Sequence, residues 1–266
     1  MIKRILLLIT LILQFSFLHA GIVILNGLTH SYKIENGKVY KGKVAIENTS
    51  NNPQSVKLFL QDFAYHADGT INYSALHTNK RTNGEWIKLN TNLITLKGKE
   101  KTEVFYEITV PNQARDSGSY WSVIIVEPVE DIKPNDNKPG VNITSVIRYA
   151  IQVITDFETE KAKPDLKFES VKVEKQEGKQ TVKIAIANNG NLYCKPTTAI
   201  EIYNRKTGEK VGTYSSLTMG LLPGTSKTFY IDISKIPPDK YKAAIIATDE
   251  EENAFALNVE LEVKND

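Results

Sequence analysis

Alternation with a period of two residues, repeated in short runs that turn residues separate, constrains this chain most. It leaves room for sheets and little for helices. Val44 and Ile46 alternate with Lys43, Ala45 and Glu47, and Val56, Leu58 and Leu60 form the next row. Val104, Tyr106, Ile108 and Val110 then alternate with Glu103, Phe105, Glu107 and Thr109. Each row has one wet face. Two segments depart from this pattern, 120–126 and 143–154, which are apolar on both faces. Such strands either lie centrally in a sheet or keep one face for a partner.

A second series of runs follows, at 165–174, 180–187, 198–204, 209–215, 226–233, 240–248 and 254–263. Seven short strands in about 100 residues is the count of an immunoglobulin-like sandwich. Between the two series lies 157–164, a charged stretch ending in Pro164 that reads as a linker. The expectation is an all-β chain of two immunoglobulin-like β-sandwich domains in tandem, 21–156 and 165–266. With 41% hydrophobic residues in 266, both can bury a core, and the single cysteine, Cys194, excludes an internal disulfide.

The first twenty residues carry Lys3 and Arg4, a short apolar run from Ile5, and Ala20 before Gly21. They read as a cleaved signal peptide, which places the protein in the periplasm, outside the cell or on its surface. No later segment is long and apolar enough to anchor the mature chain in a bilayer. Cleavage lowers Lys plus Arg from 33 to 31 against 31 Asp plus Glu. A formally neutral chain whose lysines alternate with glutamates has no cationic stripe for phosphates, so nucleic acid is not expected as a partner.

Chemistry is sparse. His66 and His77 share the polar connection 66–84 with Asp68, a weak metal or acid–base constellation that solvated loop residues explain as well. The sequence has no serine elbow, phosphate loop or dinucleotide fingerprint. Cys194 has no histidine near it in sequence and reads as a structural thiol. Trp86 and Trp121 suit core or edge packing better than a sugar platform. The expectation is a non-enzyme with no metal and no cofactor. Two local features favour sandwiches: Tyr120 after Asp116 and Gly118 looks like a tyrosine corner, and Tyr241 after Asp239 is a shorter echo. Connection 128–142, with three prolines, joins the two doubly apolar strands and draws attention to that edge.

NGKVYKGKVAIEN at 36–48, YWSVIIVEP at 120–128 and VIRYAIQV at 146–153 resemble, in order and spacing, the first domain of periplasmic pilus-assembly chaperones. The same unit, with DGTINY at 68–73 and Trp86, is similar to the first domain of WxL-interacting cell-surface proteins. ANNGN at 187–191, LPG at 222–224 and PDKY at 238–241 resemble the second domain of that surface family. The chaperone resemblance implies strand donation or sheet-edge pairing to an exported or surface protein. The strand would be 143–154, with Ile143, Ile147, Tyr149, Ile151 and Val153 in one row. Arg148 falls near the basic clamp for a client's terminal carboxylate, while the place of its partner arginine holds Tyr32, with Lys33 displaced by one residue. The surface-protein resemblance implies the alternative, a structural or adhesive protein of the cell envelope binding peptidoglycan or a surface ligand.

Overall fold

The computed structural model describes residues 21–113, 116–129 and 147–264. The expected signal peptide, Ile143 and most of connection 128–142 lie outside the described residues. The chain folds into two β-sandwiches in tandem. In the first, one sheet runs β1 (Ile22–Ile24), β3 (Val39–Asn48), β8 (Lys101–Thr109), β6 (Ile87–Leu89). The facing sheet runs β2 (Thr29–Ile34), β10 (Tyr149–Phe157), β9 (Gly118–Val129), β4 (Gln54–Tyr65), β5 (Ile71–Ser74), with β7 (Leu93–Leu96) also on β4.

The alternation seen in the sequence is the division between these sheets and water. Across the β3–β8 pair, Val44, Ile46, Val104, Tyr106 and Ile108 turn inward and are buried. The outward positions form cross-strand ion pairs, Lys43–Glu103 at 2.6 Å and Lys41–Glu107 at 3.6 Å. These exposed pairs contribute at most about 1 kcal/mol each. The inward row dominates, since burying one such apolar side chain is worth roughly 1.5–3 kcal/mol. Gly42 stands opposite Tyr106 in this ladder, and a Cβ on it would lie 2.2 Å from the tyrosine ring. Its bare backbone makes room for a half-buried hydrogen-bonded chain: Tyr106 Oη contacts Tyr32 Oη at 2.8 Å and His30 Nδ1 at 2.7 Å.

The second sandwich packs a three-stranded sheet, β11 (Leu166–Gln176), β12 (Lys179–Asn188), β15 (Ser226–Asp232), against a four-stranded one. The latter runs β14 (Lys210–Ser215), β13 (Thr197–Asn204), β16 (Asp239–Thr248), β17 (Ala254–Val263). These are the seven strands that the sequence foretells. Both tyrosine corners form: Tyr120 Oη donates to Asp116 O at 2.8 Å, and Tyr241 Oη to Pro237 O at 2.8 Å.

The apolar residues on both faces of β9 and β10 have a structural destination. Ile124, Val126, Ile151 and Val153 enter the core of the first sandwich. Trp121, Val123, Ile125 and Ile154 belong to a buried cluster that continues into the second, through Leu166, Leu221 and Leu222. Hydrogen bonds stitch the same junction: Tyr65 Oη donates to Gly220 O and accepts from Leu222 N–H, both at 3.0 Å. Connection 66–84 is held as firmly, since buried Asn83 donates to Val153 O at 3.0 Å and accepts from Ser122 Oγ at 2.7 Å.

Candidate protein-binding edge

β10 lies between two neighbours for only part of its length. On one side it pairs antiparallel with β9 throughout, from Tyr149 opposite Val126 to Phe157 opposite Gly118. On the other it pairs parallel with β2, but only from Gln152, opposite Thr29. The cause is the path of the chain before β2. Leu25 N–H donates to Ala45 O, and the Asn26 side chain bonds Lys43 O and Ala45 N–H, so this stretch belongs to the opposite sheet. It crosses over at Gly27, with Leu28 O accepting the amide of Gln152 as the first contact.

Backbone polar groups alternate sides along a strand. The Gln152 amide points to the β2 side, so Ala150 and Arg148 present their N–H and C=O groups on that side too. Among the described residues no strand pairs with them there. This open segment is flanked by large exposed apolar side chains: Ile147, 66% exposed, with Leu25 and Leu28 on the crossing chain. An unpaired edge of this kind is a template for another strand.

The sequence-derived row is thereby divided. Ile147 is exposed, Tyr149 is half-buried, and Ile151 and Val153 are fully buried in the first core. Ile151 and Val153 can thus offer a partner main chain at most. Arg148 makes an ion pair with Glu127 on β9. It stands eight residues from Asp156, the β10 residue in register with Lys33. At about 3.3 Å per residue that is roughly 26 Å along the strand, so Arg148 and Lys33 do not converge on one carboxylate.

Lys33 lies instead in a polar cleft between the sandwiches, with Asp156, Tyr193, Lys195 and Glu250. Burial raises the Asp156 carboxyl above the ordinary aspartate range, against the lowering effects of a Ser119 hydrogen bond and the Lys33 charge. Ser119 Oγ donates to Asp156 and accepts the Tyr193 N–H at 2.7 Å, linking both sandwiches. Cys194 is buried, and desolvation pushes its thiol up to about 12, a state without nucleophilic thiolate near neutrality. His66 is exposed, and His77 sits 3.2 Å from Glu85. Among the described residues no three His, Cys, Asp or Glu side chains gather as a metal site. Trp121 is buried with Nε1 donating to Phe63 O at 2.7 Å, and Trp86 packs on Tyr120.

The sequence reading singled out the strand and missed its open half. The signal for it, a short run 25–28 with Asn26-Gly27 between two β segments, marks a chain that changes sheets.

Residues 138–266, which include β10 and the whole second sandwich, match the family model of the WxL Interacting Protein, host binding domain. This bears out the resemblance read from the second half of the chain. No curated protein matches. Among solved structures, the chain is similar to one in the chaperone-tip adhesin complex of CFA/I fimbriae biogenesis. The identity is 12%, with 90% of this chain and 98% of that one covered at a TM-score of 0.49. It is also similar to the YadV chaperone, at 14% identity, 90% and 99% coverage and a TM-score of 0.45. A third is the CsuC-CsuE chaperone-tip adhesion subunit pre-assembly complex of Acinetobacter baumannii, at 16% identity, 90% and 98% coverage and 0.46.

Proposed function

We propose that the chain is an exported, non-enzymatic protein-binding module of the bacterial cell envelope. Its first sandwich pairs the open half of β10 with a strand of an exported or surface protein. The observation that carries this reading is the edge at Arg148 and Ala150, unpaired toward β2 and bordered by exposed Ile147. Main-chain pairing would supply sequence-tolerant affinity, and Ile147 a side-chain anchor. The family match supports a role at the cell surface.

Ala150→Pro tests the reading with little collateral damage, because it removes an amide on the open side and leaves the hydrogen bonds to β9 intact. The wild-type chain should recover a specific exported protein from the envelope fraction of the bacterium that makes it. Ala150→Pro and Ile147→Asp should each lower that recovery about tenfold or more, with unchanged circular dichroism and thermal midpoint. Equal recovery by both variants would reject edge pairing.

The family match over 138–266 also favours a second reading, an adhesive surface protein that binds through its second sandwich. In that case a fragment lacking the first sandwich, if it folds, retains the partner, and the protein fractionates with the cell wall or outer membrane instead of the shock fluid. Peptidoglycan pull-down distinguishes a wall ligand from a protein one.

A further inference from the structure

A second concavity opens where the turn after β4 meets β12 and β15, a cleft of about 480 Å³ lined by both sandwiches. Its walls are preformed. The Ala67 peptide is clamped at both ends, its N–H donating to Ser226 Oγ at 2.9 Å and its C=O accepting from Thr228 Oγ1 at 2.7 Å. Tyr65 is fixed by its two hydrogen bonds to the second sandwich, and Lys227 lies over its ring, Nζ 4.3 Å from the centroid.

The charges in this cleft are not all paired. Lys183 is matched by Glu174 at 2.6 Å. Asp68, at the lip, is fully exposed and accepts the Thr70 N–H at 2.8 Å. Lys227 is half-buried, and desolvation lowers its ammonium pKa, yet among the described residues no carboxylate lies within ion-pairing distance. Burying a cation beside an aromatic face costs desolvation that a ring quadrupole only partly offsets. An anion is the missing complement. The same cleft is lined by Tyr230, 44% accessible and with Lys183 Nζ 5.7 Å from its ring centroid, by exposed Ile71 and by Gln152. An unpaired lysine, and a second lysine over one face of a partly exposed tyrosine ring, in a space of one or two sugar rings, describe a site for a carboxylate carried on a hydroxylated ring.

We propose that this cleft binds an acidic sugar, a uronic acid residue whose carboxylate pairs with Lys227 and whose ring lies against Tyr230. The site is separate from the open edge of β10, and Lys227 and Tyr230 take no part in that edge, so each reading can fail alone.

Calorimetric titration of the full chain with trigalacturonate, cellotriose and triglutamate tests it. Trigalacturonate should bind, while the neutral trisaccharide and the acidic peptide should not. Lys227→Met, which keeps the aliphatic stem over Tyr65, should weaken binding about tenfold or more. Tyr230→Ala alters an exposed residue, should fold normally, and should also weaken it severalfold. Absence of binding to trigalacturonate, unchanged affinity in either variant, or equal affinity for triglutamate would overturn the proposal.

Discussion

Single side chains at the junction hold charge where water is scarce, and Asp156 shows what that implies. Burial raises its pKa, so the folded chain favours the protonated form more than the unfolded chain does. The sign follows from linkage. For a group whose pKa rises on folding, the stability it contributes is fully present below the unfolded value of 3.8 and is lost as pH rises through the folded value. Asp156→Asn keeps an acceptor for the Ser119 hydroxyl and removes the charge. We expect a higher denaturation midpoint than wild type at pH 7, an advantage that shrinks on acidification and vanishes below the ordinary aspartate pKa. Equilibrium denaturation of both proteins across pH 3 to 7 measures it, and a variant less stable at pH 7 would show that attraction to Lys33 outweighs burial. None of this was legible in the sequence, where Asp156 is one acid at the end of the first domain, just before an apparent linker. It shares its cleft, and the Ser119 hydroxyl, with Tyr193, 37 residues away.

Elements were legible in proportion to their length. β3, β4, β8 and the seven strands of the second sandwich carry enough alternations for one face to be read as inward. β1, β5, β6 and β7, of three or four residues each, carry too few. The doubly apolar β9 and β10 were recognised as special, but composition cannot say whether the second face meets a partner chain or the same chain's other sandwich. Here Trp121, Val123, Ile125 and Ile154 meet the latter, and only the backbone of β10 is left partly open. Pairing geometry hides from composition in the same way at Gly42, which looks like a weak point in β3 and is in fact the space for Tyr106. Gly42→Ala would place a methyl group about where the ring now sits, displacing Tyr106 from Tyr32 and His30. Overpacking of this kind typically costs about 1–3 kcal/mol. Urea denaturation should show that loss. A neutral result would mean that β3 and β8 separate easily, against the burial of Val44, Val104 and Ile108 around it.

At the scale of the molecule, the buried cluster shared by the two sandwiches decides how the chain moves and unfolds. Two domains joined only by a tether would swivel and melt separately, whereas Trp121 and Ile154 lie in one packed cluster with Leu221 and Leu222. The polar seam reinforces it. Ser119 N–H donates to Asn191 O at 2.8 Å, an approach that Gly118 permits by having φ of 112° and no side chain, since a Cβ there would lie 2.0 Å from the Asn191 carbonyl. Both tryptophans stand in the first sandwich, Trp121 in the cluster shared with the second, so their emission reports that half and its junction while far-ultraviolet circular dichroism reports both sandwiches. We expect the two signals to give one coincident transition in the wild-type chain. Gly118→Ala forces a left-handed φ on a side-chain residue and pushes the Asn191 turn away, which attacks the seam while leaving both sandwich cores untouched. The transitions should then separate, the tryptophan signal moving to lower denaturant. If they stay coincident, the shared apolar cluster alone suffices for coupling. If they are already separate in the wild type, the junction is too weak to hold the open half of β10 and the Lys227 cleft in a fixed relation. A partner engaging both at once would then have to order the two sandwiches itself, at a cost in affinity that a preformed junction avoids.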